Sequence, residues 1–302
     1  MGSKWTANGE ATGRRTGALR WAGAAALVTA AVVPLTGVAA ADGPDDGLPV
    51  FSEAHFSHPT TIDNPLLPLV PGHQLVFVGT ANRGQGQGTH RVVFTVTDMV
   101  KQVDGIDTVV VWDRDFQDGA LAEAELALWA QDDAGNVWNL GEYPEEWEDG
   151  ALAGAPSTWL TGRQQAIAGI HMLADPVPGG PAYVQGRAPR IDFFDKAKVV
   201  KKDQRTCAPT GCYKGVLVTN EWAPLNQPED GHQLKFSAPG VGVVRIEPLG
   251  GVEQETLVLT KDNTLTAAES AEARAKVVTL DTRAYNLARD IWQGTPPVHP
   301  AA

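Results

Sequence analysis

Between His73 and Asp262 the chain repeatedly alternates apolar and polar residues with a period of two, the mark of strands with two unlike faces. HQLVFVGT leads through the glycine-rich NRGQGQG into THRVVFTVTDMV, where His90, Val92, Phe94 and Val96 interleave with Arg91, Val93, Thr95 and Thr97. The two segments read as a hairpin. DTVVVWDRDF, ALAEAELALWAQ and NVWNLGE continue the meander through the turn signals Asp118-Gly119 and DDAG. The alternation lapses from Tyr143 to Asp195, where IAGIHMLADPVPGGPAYVQG mixes Gly, Pro and short apolar pieces, so a long excursion against the sheet is expected. It resumes in KAKVVKKDQ, CYKGVLVTNEW, HQLKFSAPG, VGVVRIEP and VEQETLVLTKD. A helical end follows: TAAE at Thr266 to Glu269 has the spacing of a capping box, and Asp281 is placed to cap a second helix reaching about Trp292. The predicted fold is mainly β, a curved antiparallel sheet or partly closed barrel over 73–265. It carries an irregular insertion at about 143–195, two C-terminal helices within 266–293 and a disordered tail over 294–302.

The N-terminal GRRTGALRWAGAAALVTAAVVPLTGVAAADG has a basic start, an apolar middle and small residues at Ala39 and Ala41, which predicts a signal peptide over 1–41 and a secreted protein. Arg14 and Arg15 stand side by side, so twin-arginine export is open beside the general route. No later stretch approaches the roughly 20 apolar residues of a membrane span, and no membrane insertion is expected after cleavage. Residues 42–72 hold many prolines and no sustained period, and should form an extended arm laid over the domain. The removed segment carries four of the 24 Lys and Arg and one of the 36 Asp and Glu. The acidic excess that remains argues against nucleic acid or anionic lipid as partners. In an exported chain the two cysteines, Cys207 and Cys212 in RTCAPTGCYKG, are expected to form a disulfide that pins a hairpin.

FSHPTTIDNPLLPL, VVVWDRDFQDG, WAQDDAGNVWNLGEYPEEWEDG and FSAPGVGVVRIE together resemble an uncharacterised family of exported actinobacterial proteins, over nearly all of the mature chain. The resemblance implies a shared fold and no particular chemistry. The APGVG turn also resembles one in periplasmic half-barrel proteins that cradle lipids or lipoproteins, a motif that carries little about function by itself.

Register decides where the acidic and aromatic residues of 109–142 point. A two-residue turn at Asp118-Gly119 sets Phe116 opposite Leu121, Arg114 opposite Glu123 and Trp112 opposite Glu125. A three-residue turn would oppose Asp113 and Glu123, two like charges, and is disfavoured. A four-residue loop over 132–135 then sets Trp129 opposite Trp138 and Glu125 opposite Glu142. One face would collect Trp112, Arg114, Phe116, Glu123, Glu125, Trp129, Trp138 and Glu142. The other would carry Val109, Val111, Ala122, Ala124, Leu126, Leu128, Ala130 and Val137, with Asp113 and Asp115 near its end.

Two carboxylates on a tryptophan-rich surface are what glycan hydrolysis uses, one protonated and one ionised. This makes Glu125 and Glu142 a candidate catalytic pair, with Trp112, Arg114, Glu123, Trp129 and Trp138 as binding residues. The plain alternative is the solvated side of an antiparallel sheet. His55, His58 and His171 lack the spacing of a metal site, and DDAGN lacks that of a calcium loop. No nucleophile elbow, phosphate loop or dinucleotide fingerprint occurs, so no cofactor or metal is expected. Three functions fit: a secreted binding protein for a glycan or amphipathic small molecule, a cofactor-free glycan hydrolase or lyase, or an envelope interaction protein without a small ligand.

Overall fold

Three Asp-Gly pairs organise the first half of the chain. Asp104-Gly105, Asp118-Gly119 and Asp149-Gly150 all have positive φ at both positions, the type I′ geometry whose twist matches that of paired strands. They join long antiparallel strands in the computed structural model, which describes residues 48–82, 86–226, 231–252 and 254–301. The predicted signal peptide lies outside the described residues.

The meander runs through β1 (His73–Asn82), β2 (Gln87–Val103), β3 (Ile106–Gln117), β4 (Ala120–Gln131) and β5 (Val137–Glu148). Two short strands, β6 (Ala151–Gly154) and β7 (Trp159–Leu160), lie against β5. The order continues with β8 (Ile167–Met172), β9 (Tyr183–Ala188), β10 (Phe193–Ala208), β11 (Gly211–Trp222), β12 (His232–Ala238), β13 (Gly242–Leu249) and β14 (Glu255–Thr264). Because β1 pairs with both β14 and β2, the sheet closes into a twelve-stranded antiparallel barrel. Eight strands make a barrel that side chains just fill, so twelve leave a wider interior to be occupied.

Two expectations about the chain's path are corrected. The segment 143–195 is only partly an excursion, since β5 runs on to Glu148 and β8 and β9 are staves of the barrel. Glycines hide them: a Cβ on Gly169 would lie 2.1 Å from the carbonyl carbon of Gln185, so β8 and β9 approach at a separation that excludes a side chain. The tail is ordered as β15 (His299–Pro300), which pairs with Met99 and Val100 of β2.

Two helices follow the barrel, α1 (Ala267–Leu287) and α2 (Arg289–Trp292). The Thr266–Glu269 capping box forms as expected. Asp281 caps nothing: it lies buried inside α1, and the break falls at Ala288. Its carboxylate holds the fully buried Lys101 of β2 at 2.8 Å and accepts from Trp292 Nε1 at 2.7 Å. The helix sets Ala273, Val277, Leu280 and Ala284 against β2, β3 and β4, and Arg283 clasps the buried Glu145 of β5. The arm covers the neighbouring outer surface, with Phe51 packed edge-on to Trp138 and Ser57 bonded to Asp133. The hairpin of β10 and β11 carries the Cys207–Cys212 disulfide across directly paired positions.

Candidate functional site

The two hairpins around β4 do not take the predicted register. The Asp118-Gly119 turn forms and Phe116 faces Leu121, but a bulge at Ala122 then slips the pairing by one residue. Asp115 therefore opposes Glu123, Asp113 opposes Glu125, and Arg114 and Trp112 meet Ala124 and Leu126. The β4–β5 loop has five residues, Asp132 to Asn136, because the Asp132 carboxylate gathers Asn136 N at 2.8 Å and Trp138 Nε1 at 2.8 Å. Trp129 consequently pairs with Asn139 and Trp138 with Ala130, so the two indoles project to opposite faces.

The predicted aromatic platform is thus divided. Trp112, Arg114 and Trp138 stand outside the barrel, Trp138 beneath the arm and Arg114 stacked 3.8 Å over Trp112. Glu123, Glu125, Trp129 and Glu142 face the lumen with Val109, Val111, Asp113 and Asp115, while Ala124, Leu126, Leu128 and Ala130 lie outside. Glu125 is opposite Pro144 and Glu142 opposite Ala127, which makes the glutamates diagonal neighbours instead of a facing pair. Both Glu142 oxygens are engaged, by Asn139 Nδ2 at 2.6 Å and Trp159 Nε1 at 3.0 Å.

The lumen is polar at one end. Asp113, Asp115, Glu123, Glu125 and Glu255 are all buried there, arranged around His90 of β2. His90 Nε2 lies 2.7 Å from Asp115, and Nδ1 lies 2.7 Å from Glu255, whose other oxygen accepts from Gln233 at 2.9 Å. Burial alone would lower the pKa of His90, but the hydrogen bonds to Asp115 and Glu255 outweigh it and raise it from 6.5 to about 9. This imidazolium ties β3 to β14 across the seam. Burial, with Asp115 alongside, lifts the Asp113 carboxyl from 3.8 to about 7.

Further along the barrel a second group assembles from strands the sequence left unread. Trp129, Asn139 and Gly169 occupy one ladder row across β4, β5 and β8, and Gly169 abuts the backbone of Gln185 on β9. His171 packs edge-on to Trp129 at 4.3 Å, with Phe94 on another side of the indole at 6.5 Å. Burial pushes His171 down from 6.5 to about 3, so the ring is neutral. Glu221 of β11 and Lys235 of β12 form a buried ion pair at 2.7 Å; burial would raise Glu221, but Lys235 holds it below the usual carboxylate range.

Three polar atoms of this layer, Trp129 Nε1, Tyr183 Oη and Gln185 Nε2, are buried without a hydrogen-bond partner. Each such group costs about 1–3 kcal/mol when nothing replaces its water. In native proteins such groups are ordinarily satisfied by ordered water or by a ligand. Among the described residues no group of three or more His, Cys, Asp or Glu side chains is placed to hold a metal ion.

No protein-family model and no curated protein sequence matches the chain. Two solved structures are similar to it. One is described as an exported protein of Bacteroides fragilis with a YmcC-like fold, at 14% identity and a TM-score of 0.39, covering 66% of this chain and 98% of its own. The other is described as a lipoprotein of Parabacteroides distasonis, at 12% identity and a TM-score of 0.28, covering 66% and 99%.

Proposed function

We propose that this is an exported binding protein whose barrel lumen holds one small, uncharged, amphipathic molecule bearing oxygen acceptors. The observation that carries the reading is the layer of unspent polar atoms, Trp129 Nε1, Tyr183 Oη and Gln185 Nε2. The indole N–H of Trp129 and the Gln185 amide N–H can only donate, so the ligand must offer acceptors there; the Tyr183 hydroxyl can both donate and accept. The flanking charges cancel, with Glu221 paired to Lys235 and His171 neutral, so a charged ligand would lose its hydration for no counterion. Phe94 and Val111, on the same lumenal face, offer apolar contact for the rest of the molecule. Export is supported by the signal-like N-terminus and by the Cys207–Cys212 disulfide, which belongs to an oxidising compartment. A hydrolytic role for Glu125 and Glu142 would require Glu142 to release Asn139 and Trp159, and is the weaker reading.

The test is native mass spectrometry of the purified full chain, followed by titration with neutral sugars, lactones and ketones while the Trp129 indole N–H resonance is observed by NMR. A bound neutral molecule that shifts this resonance, and fails to do so in the Tyr183→Phe/Gln185→Leu variant, is expected. A crystal structure in which waters alone bridge the three groups, with no compound shifting the resonance, would overturn the reading.

A further inference from the structure

The tip of the β10–β11 hairpin carries chemistry that the barrel does not use. Cys207 faces Cys212, and two residues back along each strand Arg205 faces Lys214, so all four side chains stand on one face of the hairpin. All four are exposed. The opposite face is fastened without them. Ala208 and Tyr213 pack against the core, Thr206 Oγ1 accepts from Arg245 Nε at 3.1 Å, and the Thr210 hydroxyl meets Tyr213 Oη at 2.7 Å and donates to Leu259 O at 3.3 Å. The Arg245 guanidinium also donates to the carbonyl of Cys207. The disulfide joins two strands that already pair, and it closes a loop between residues only 5 apart, so it removes little chain entropy and adds little as a staple. What distinguishes it is access and charge. A cation beside a sulfur favours thiolate over thiol, which makes that sulfur a better leaving group, and an exposed disulfide is open to attack. Here each sulfur has one such cation on its own strand.

We propose that Cys207–Cys212 is a thiol–disulfide exchange site that accepts two electrons from small-molecule thiols. In the first step a thiolate bonds to one of the two sulfurs as the S–S bond breaks, leaving a mixed disulfide and a cysteine thiolate held beside Arg205 or Lys214. In the second, another thiolate attacks the small-molecule sulfur of that mixed disulfide, and the second cysteine leaves. The two small thiols depart joined as their own disulfide. Their two electrons and two protons remain on the protein as the Cys207 and Cys212 thiols. Because the inner face of the hairpin is held by Arg245, Thr210 and Tyr213, the barrel stays folded in every one of these states. The site is outside the barrel and independent of the lumen.

The full oxidised chain is incubated in native buffer with excess β-mercaptoethanol, an uncharged thiol, then quenched with acid at intervals and mapped by peptide mass spectrometry. Wild type is compared with the Arg205→Gln/Lys214→Gln variant and with Lys202→Gln, an exposed cation elsewhere on β10, as the control. Mixed disulfide and then dithiol should accumulate at Cys207 and Cys212 while the native tryptophan fluorescence persists. Exchange should slow roughly three- to tenfold in the Arg205→Gln/Lys214→Gln variant, as loss of the cations that stabilise the leaving thiolate implies. That difference should shrink in high salt, because the charges are exposed, and Lys202→Gln should match wild type. Cys207→Ala/Cys212→Ala should keep a cooperative urea transition, which separates exchange from a structural role. Exchange that begins only once urea has unfolded the chain, an unchanged rate in Arg205→Gln/Lys214→Gln, an equal slowing in Lys202→Gln, or collapse of the barrel in the double alanine variant would each overturn the assignment.

Discussion

Asp113 is the residue whose replacement should most change how stability depends on pH. In the unfolded chain its carboxyl titrates near 3.8; folded, burial and the neighbouring Asp115 move it to about 7. Between these values the folded state keeps a proton the unfolded state has lost, so stability falls as pH rises, and the loss is complete above pH 7. Three pKa units at 1.36 kcal/mol each give about 4 kcal/mol, a ceiling because Asp115 and Glu123 reorganise with it. Asp113→Asn keeps the acceptor for the Arg114 amide, now 2.7 Å away, and removes the charge. The variant should match wild type near pH 4 and exceed it by up to about 4 kcal/mol at pH 8.5. Urea unfolding followed by tryptophan fluorescence at several pH values measures this, and subtracting the two curves cancels the titrating groups that do not interact with Asp113. A variant no more stable than wild type at pH 8.5 would mean that the native barrel holds Asp113 ionised and depends on its charge.

Three further outcomes follow from single contacts. His90 gains stability from its elevated pKa, present in full below pH 6.5 and lost as pH climbs through about 9, so His90→Gln should flatten the alkaline limb of the same urea experiment. Lys101→Met strands the buried Asp281 carboxylate and should cost about 3–5 kcal/mol, recovered only in part by adding Asp281→Leu because Trp292 Nε1 and Val298 N then lose their acceptor, as a double-mutant cycle would record. Gly169→Ala forces a Cβ onto the Gln185 backbone and should cost at least the ~1–3 kcal/mol of overpacking, with faster amide exchange confined to β8 and β9.

The class of fold was legible because most strands alternate and the helical end carries a readable cap. The partners of the strands were not. A bulge at Ala122 and a five-residue loop at Asp132 each move the register by one, and one step exchanges the faces. Repulsion between Asp113 and Glu123 argued for the wrong alignment, yet the true one opposes Asp113 to Glu125 and Asp115 to Glu123. The lumen absorbs that cost through a histidine from a distant strand, His90, and through a protonated carboxyl, neither of which local sequence reveals. Asp113 and Asp115 shared the face of Val109 and Val111, as the alternation indicated; their burial was the unread signal. Tyr183, Gln185, Glu221 and Lys235 lay in segments without a functional motif, and only closure of the barrel sets them beside Trp129.

The ordered end of the chain bears on handling the protein. β2 extends past its partner β1, and the short strand at His299–Pro300, with Ala301 N bonded to Asp98 O, occupies the hydrogen-bonding groups left over. Trimming those residues would bare a sticky backbone rim of the kind that recruits strands from other molecules, and would loosen the helical clamp above Lys101, since Val298 N and Pro296 O both belong to it. An affinity handle is better fused ahead of the arm than behind Ala301.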